Sequence, residues 1–291
     1  VLWLARPTTV WRLLADADPA LLLAAAAASG LAQALRGARL VALLPEGSIG
    51  LGRGSLVAAA AQAAALFAPA RVGELALPWL LRRATGRELA AGIGTLLAAR
   101  AIDLAALGIW AGWAVLAIWG WDEPVALVAA AALLLPPVLL PLLLRTADRL
   151  ARRCLAPRGR RGRRWARRSR QLVEGVTWLG RRPVRLVIAV AASLGTWGSL
   201  WALAWFALAA MGHRWPPAEV VAGSAAASLA GVLPVNAIGG LGTLEVGWTA
   251  AFVALGIPLE LAAATGLACH LWALLFAAGY GAAAWLVLTR R

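Results

Sequence analysis

Ser55-Leu-Val-Ala-Ala-Ala-Ala-Gln62-Ala-Ala-Ala-Leu-Phe-Ala68 is an apolar run of 14 residues, followed at once by Pro69-Ala-Arg-Val-Gly-Glu74 and by Leu75-Ala-Leu-Pro-Trp-Leu-Leu81. As a helix the first run is about 21 Å long, short of the roughly 30 Å of hydrocarbon in a bilayer. The Pro/Gly break carries charge and is followed by a second short apolar piece. Two short helices around such a break predict a re-entrant hairpin. Its tip must find hydrogen-bond partners in protein or in a wet cavity.

The rest of the chain supplies the membrane that this hairpin needs. Of the 291 residues, 62% are hydrophobic, and the mean hydropathy is +0.77. The formal net charge is nevertheless +15. Apolar spans joined by charged loops reconcile the two, whereas an ordinary soluble enzyme, a disordered tail or a secreted disulfide scaffold does not. Spans are expected at Pro19–Leu35, Leu89–Trp119, Val125–Leu144, Val184–Met211 and Leu259–Thr289. Residues 1–18, with Trp3 and Trp11 among arginines, read as an interfacial segment. Trp110, Trp113, Trp119 and Trp121 read as an aromatic belt. The first transmembrane half is then 19–144, a cytoplasmic Arg-rich loop covers 145–183, and the second half is 184–291. Cys154 and Cys269 have no metal-site spacing, and neither a metal nor a cofactor is expected.

The opening pattern returns in the second half. Ala218–Leu233 is short and apolar, Pro234-Val-Asn236-Ala-Ile-Gly-Gly-Leu-Gly242 breaks it, and Thr243–Leu255 follows with Glu245 in its first turn. Finer spacing repeats too: Thr85-Gly86…Glu88-Leu-Ala-Ala91 matches Leu255-Gly256…Glu260-Leu-Ala-Ala263. Glu74 precedes Arg100 by 26 positions, and Glu245 precedes His270 by 25. Counting crossings, the first hairpin opens from one side of the membrane and the second from the other. That is an inverted-topology repeat, a layout common in secondary transporters. With the N-terminus outside, 23 arginines fall inside against 3 outside, so the basic loop and the C-terminus are expected in the cytoplasm of a bacterial inner-membrane protein. This accounts for the positive charge, and no nucleic-acid partner is expected.

Arg71, Glu74, Arg100, Asp103 and Glu245 lie in apolar surroundings. Each costs about 2.5–3.5 kcal/mol at a helix centre if unpaired. Together that exceeds the net stability of a typical domain. They must pair or line a wet cavity. Arg100 and Asp103, at i and i+3, share a helix face. They read either as a pair that neutralises itself or as an anion-binding Arg whose fork Asp103 holds. Glu74 reads as a helix cap paired with Arg71, or as part of a site. Glu245 reads as a helix-start stabiliser or as a protonatable group, since nothing nearby in sequence pairs with it. His270 reads as a hydrogen-bonded core histidine or a titrating switch. Asn236 lies among glycines whose N–H groups the break exposes. Gln62 reads as an interhelical hydrogen bonder. Nucleophile-elbow, zinc-protease, P-loop and dinucleotide signatures are all missing, so no enzyme is expected.

Pro69-Ala-Arg-Val-Gly-Glu-Leu75 with Leu80-Leu-Arg-Arg83, then Ala99-Arg100-x-x-Asp103-Leu104, then Pro234…Gly239-Gly-Leu-Gly-x-x-Glu245, resembles the lysylphosphatidylglycerol synthetase transmembrane, or flippase-like, family. The resemblance covers the chain from about residue 20 and carries no aminoacyl-transferase domain, as in stand-alone members. It implies movement of a lipid between leaflets, with Arg71, Glu74, Arg100, Asp103 and Glu245 as functional positions. The lipid would be an anionic or aminoacylated phospholipid, a polyprenyl phosphate or a hopanoid-type lipid. The fold expected is an all-α integral membrane bundle with inverted repeats and two re-entrant half-helix hairpins. The expected function is a flippase-like transporter with a charged midplane cavity. The alternatives are a membrane-embedded lipid-modifying enzyme, or a scaffold that holds a lipid-synthesis partner through the basic loop.

Overall fold

The computed structural model describes residues 5–124, 182–231 and 241–290, with isolated positions between 127 and 153. The span expected at 125–144, the Arg-rich loop through 181, and Asn236 lie outside the described residues. So does the Arg71 side chain. Among the described residues every regular element is helical.

Helix α1 (Pro7–Ala15) starts on a proline and rests Val10 in the same core cluster as Ala262 and Ala263. Arg6 pairs with Glu260 at 3.0 Å beside it. Helix α2 (Pro19–Leu43) also starts on a proline, and Asp18 caps it by accepting a hydrogen bond from the Ala20 N–H at 2.8 Å. Its 25 residues make about 37 Å of helix. The expected span ended at Leu35, before Arg36 and Arg39, but the helix runs on through both. They face protein rather than water, so they do not terminate it. Removing these two from the 23 expected inside leaves 21 against 3, and the bias survives.

Three more helices are long and apolar enough to cross a membrane: α5 (Leu89–Trp119), α6 (Pro183–Ala210) and α9 (Leu259–Thr289). Helix α6 lies antiparallel to α2 along its whole length. Asp18 N–H donates to the Ala210 carbonyl at one end, Leu35 meets Gly195, and Arg185 donates to the Leu44 carbonyl at the other. Trp110 is not part of a belt: its indole donates to the Leu194 carbonyl at 3.1 Å between α5 and α6. Trp119 and Trp121 do lie exposed at the end of α5.

The short helices form two close antiparallel pairs. Helix α3 (Leu51–Phe67) continues through a 3-10 turn (Pro69–Leu75) into α4 (Ala76–Thr85). Gly73 packs on the Ala64 carbonyl so tightly that a Cβ there would overlap it. Helix α7 (Pro217–Ala230) pairs with α8 (Thr243–Ala254): Gly247 sits on the Ala226 backbone, Phe252 on Gly223, and Leu244 on Gly231. Small residues permit such backbone approach, which is how helices associate where lipid offers no hydrophobic contrast. At 17, 14 and 12 residues, α3, α7 and α8 are all shorter than about 30 Å. Helix α9 closes the bundle on α2 and α3. Trp285 donates to the Ala60 carbonyl at 3.2 Å and Tyr280 to the Ala26 carbonyl at 2.9 Å.

Candidate functional site

A cavity of about 360 Å³ lies among these helices. Helix α2 contributes Gln33, Arg36 and Arg39, α3 contributes Gln62, and the 3-10 turn contributes Glu74. Helix α5 contributes Arg100 and Asp103, α9 contributes His270, and α6 contributes Thr196 and Trp197. The other lining residues are mostly Ala and Leu. A small polar cluster in an apolar cleft of this size is the usual form of a ligand site.

Three charge contacts organise it. Glu74 Oε1 stands 3.4 Å from Arg100 Nη2. Asp103 Oδ1 contacts Arg39 Nη1 directly, and Ser193 Oγ bridges them, accepting from Arg39 at 2.9 Å. His270 Nδ1 lies 2.6 Å from Glu245 Oε1, and the other Glu245 oxygen accepts from the Gly242 N–H at 2.6 Å. The Glu245 side chain is buried behind His270, so the histidine is what faces the cavity.

A model of the lysylphosphatidylglycerol synthase TM region matches residues 1–281. The chain belongs to this family. No curated protein and no solved structure matches it. As a member of the lysylphosphatidylglycerol synthase TM family, with four apolar helices among its described residues, it is an integral membrane protein with a lipid-related role.

Of the family positions carried over from the sequence, Glu74, Arg100 and Asp103 line this cavity, and Glu245 reaches it through His270. One expected pairing is corrected. Arg100 and Asp103 do not serve each other: although they share a face of α5, each has a nearer partner on another element. Glu74 stands beside Arg100, and the pairing expected with Arg71 falls on a side chain outside the described residues. Glu245 has a partner after all, in His270, one helix away. His270 is therefore hydrogen-bonded, and Glu245 also stabilises the start of α8.

The structure adds residues that sequence reading passed over. Arg36 and Arg39 lie just beyond the span expected at Pro19–Leu35, and Gln33 and Ser193 carried no expectation. Their signal was the spacing Gln33-x-x-Arg36-x-x-Arg39, which puts all three on one helix face. His213 stays in the loop after α6, half-buried with its ring centroid 5.8 Å from that of Trp215. Burial holds its pKa below the usual imidazole value, and it takes no part in the cavity.

Proposed function

We propose that this protein is a flippase-like lipid transporter of the bacterial inner membrane. A polar or anionic headgroup passes through the charged cavity while the acyl chains stay in the bilayer. In this reading the α3–α4 and α7–α8 pairs are re-entrant hairpins of an inverted repeat, and the basic loop and C-terminus face the cytoplasm. The hairpins supply one carboxylate each, Glu74 and Glu245, beside a base on the long helix that follows.

The observation that carries the reading is a cavity of about 360 Å³ lined by arginines and carboxylates among helices whose outer faces are apolar. Charge is expensive at this depth, and so many ionisable groups around one space are accounted for by cargo that is itself polar. Asp103, Glu74 and Glu245 are each paired with a basic group on another element. That arrangement suits binding and release, with no chemical change in the lipid.

Reconstituted liposomes loaded with fluorescent lipid test it. Glu245→Ala and Arg100→Ala are expected to slow movement between leaflets by about tenfold or more, the effect of losing about 1.4 kcal/mol of interaction. Unchanged movement in both variants overturns the site assignment. A conversion product in mass spectra of the lipids would instead mark a carboxylate acting as a base on the lipid, and would overturn transport without chemistry.

A further inference from the structure

The α2 stripe is the part of the cavity that the paired charges do not explain. Gln33, Arg36 and Arg39 recur every third residue and all line the cavity. Arg39 directs one nitrogen to Asp103 and Ser193, but its Nε is buried without a hydrogen-bond partner. Gln33 Oε1 is likewise buried and unpartnered. Both residues are 7% exposed. Arg36 has no carboxylate within ion-pair distance among the described residues. Of the charges that line the cavity, Glu74 is placed on Arg100 and Asp103 on Arg39. Among the described cavity-lining charges, one positive charge is left over, on Arg36.

A buried N–H and a buried carbonyl without partners are costly, and a ligand that offers an acceptor to one and a donor to the other recovers that cost. An arginine with its fork free prefers planar, bidentate oxyanions, phosphate above all. We propose that Gln33, Arg36 and Arg39 form the headgroup subsite of the cavity, and that it selects an anionic, phosphate-bearing headgroup that also carries a hydroxyl. Arg36 takes the phosphate oxygens and Gln33 accepts from the hydroxyl. A headgroup whose phosphate is neutralised by an attached amine is disfavoured, because the amine brings a second positive charge beside Arg36. This inference rests on the transport reading only for the source of the ligand; a free phosphate ester has the same chemistry.

Calorimetric titration of the full chain in micelles, with short-chain phosphatidylglycerol, phosphatidylethanolamine, lysyl-phosphatidylglycerol and inorganic phosphate, tests the subsite. Phosphatidylglycerol is expected to bind about tenfold more tightly than either amine-bearing lipid, a difference of about 1.4 kcal/mol. Arg36→Gln should erase that preference, and Arg36→Lys, which keeps the charge, should retain most of it. An unaltered melting temperature in Arg36→Gln shows that the loss is not one of folding. Inorganic phosphate that displaces phosphatidylglycerol at comparable concentration upholds the anion subsite and makes a free anion its ligand. Equal binding of the three lipids, or a preference that Arg36→Gln leaves intact, overturns the proposal. In vesicles, lipid movement without headgroup preference sinks this inference alone. A binding preference without any lipid movement sinks the transport reading alone.

Discussion

Glu74–Arg100 and Glu245–His270 occupy equivalent places in the two halves. Each joins a carboxylate, Glu74 in the turn before α4 and Glu245 in the first turn of α8, to a base on the long helix that follows, 26 and 25 residues later. Their environments differ. The first pair stands 3.4 Å apart with its side chains 25% and 48% exposed, open to the cavity. The second stands 2.6 Å apart, and its carboxylate side chain is wholly buried and also bonded to the Gly242 N–H. The bases differ as well. The first is a guanidinium fork and the second an imidazole ring. One scaffold therefore holds a loosely seated pair in one half and a sealed pair in the other.

Removing the sealed carboxylate should show the contrast most strongly. Glu245→Ala leaves both His270 and the Gly242 N–H without their acceptor. At about 1.5–3 kcal/mol for each hydrogen bond to a charged group, the variant should lose roughly 3–6 kcal/mol. Thermal unfolding in micelles should show a drop of many degrees. Glu74→Ala, in the wetter pair, should cost about 1 kcal/mol or less. Equal destabilisation by the two would break the distinction.

The backbone seats of the hairpins come next. Gly73→Ala forces a methyl group onto the Ala64 carbonyl, and Gly247→Ala forces one to 2.5 Å from the Ala226 carbonyl. Overpacking of this kind costs about 1–3 kcal/mol, with Gly73→Ala expected at the upper end. Denaturation of the two variants side by side checks the order.

Exchanging the charges in the open pair is a milder change. Glu74→Arg combined with Arg100→Glu should recover most of the lipid movement that either single change removes, within about threefold of the parent, since exposed pairs are energetically modest. Failure of the double variant to recover would mean that Arg100 serves the cargo rather than Glu74.

Much of this comparison was legible before any coordinates. Short apolar runs broken at Pro69–Glu74 and Pro234–Gly242 marked the two pairs of short helices, and the repeated spacing aligned Glu74 with Glu245 and Arg100 with His270. What misled was adjacency. Arg100 and Asp103 looked like partners because they are three residues apart on one helix, yet each found a closer partner on a different element. The polar stripe of α2 was passed over for a related reason. The expected span was stopped at Arg36, where an arginine turned into the protein reads the same as one turned into water.

Helix positions and breaks depend on local composition and on the thickness of a bilayer, so residue order alone placed most of the described helices, though it ended α2 eight residues too early. The surplus of arginine in the loop and at the C-terminus was readable in the same way. Pairing depends on distance through space. Only the packed bundle could place Arg39 on Asp103, Arg100 on Glu74 and His270 on Glu245, because each pair joins elements that are far apart along the chain or meet only once the helices fold back on each other. The packing is also what leaves Arg36 beside a cavity with no carboxylate at ion-pair distance among the described residues.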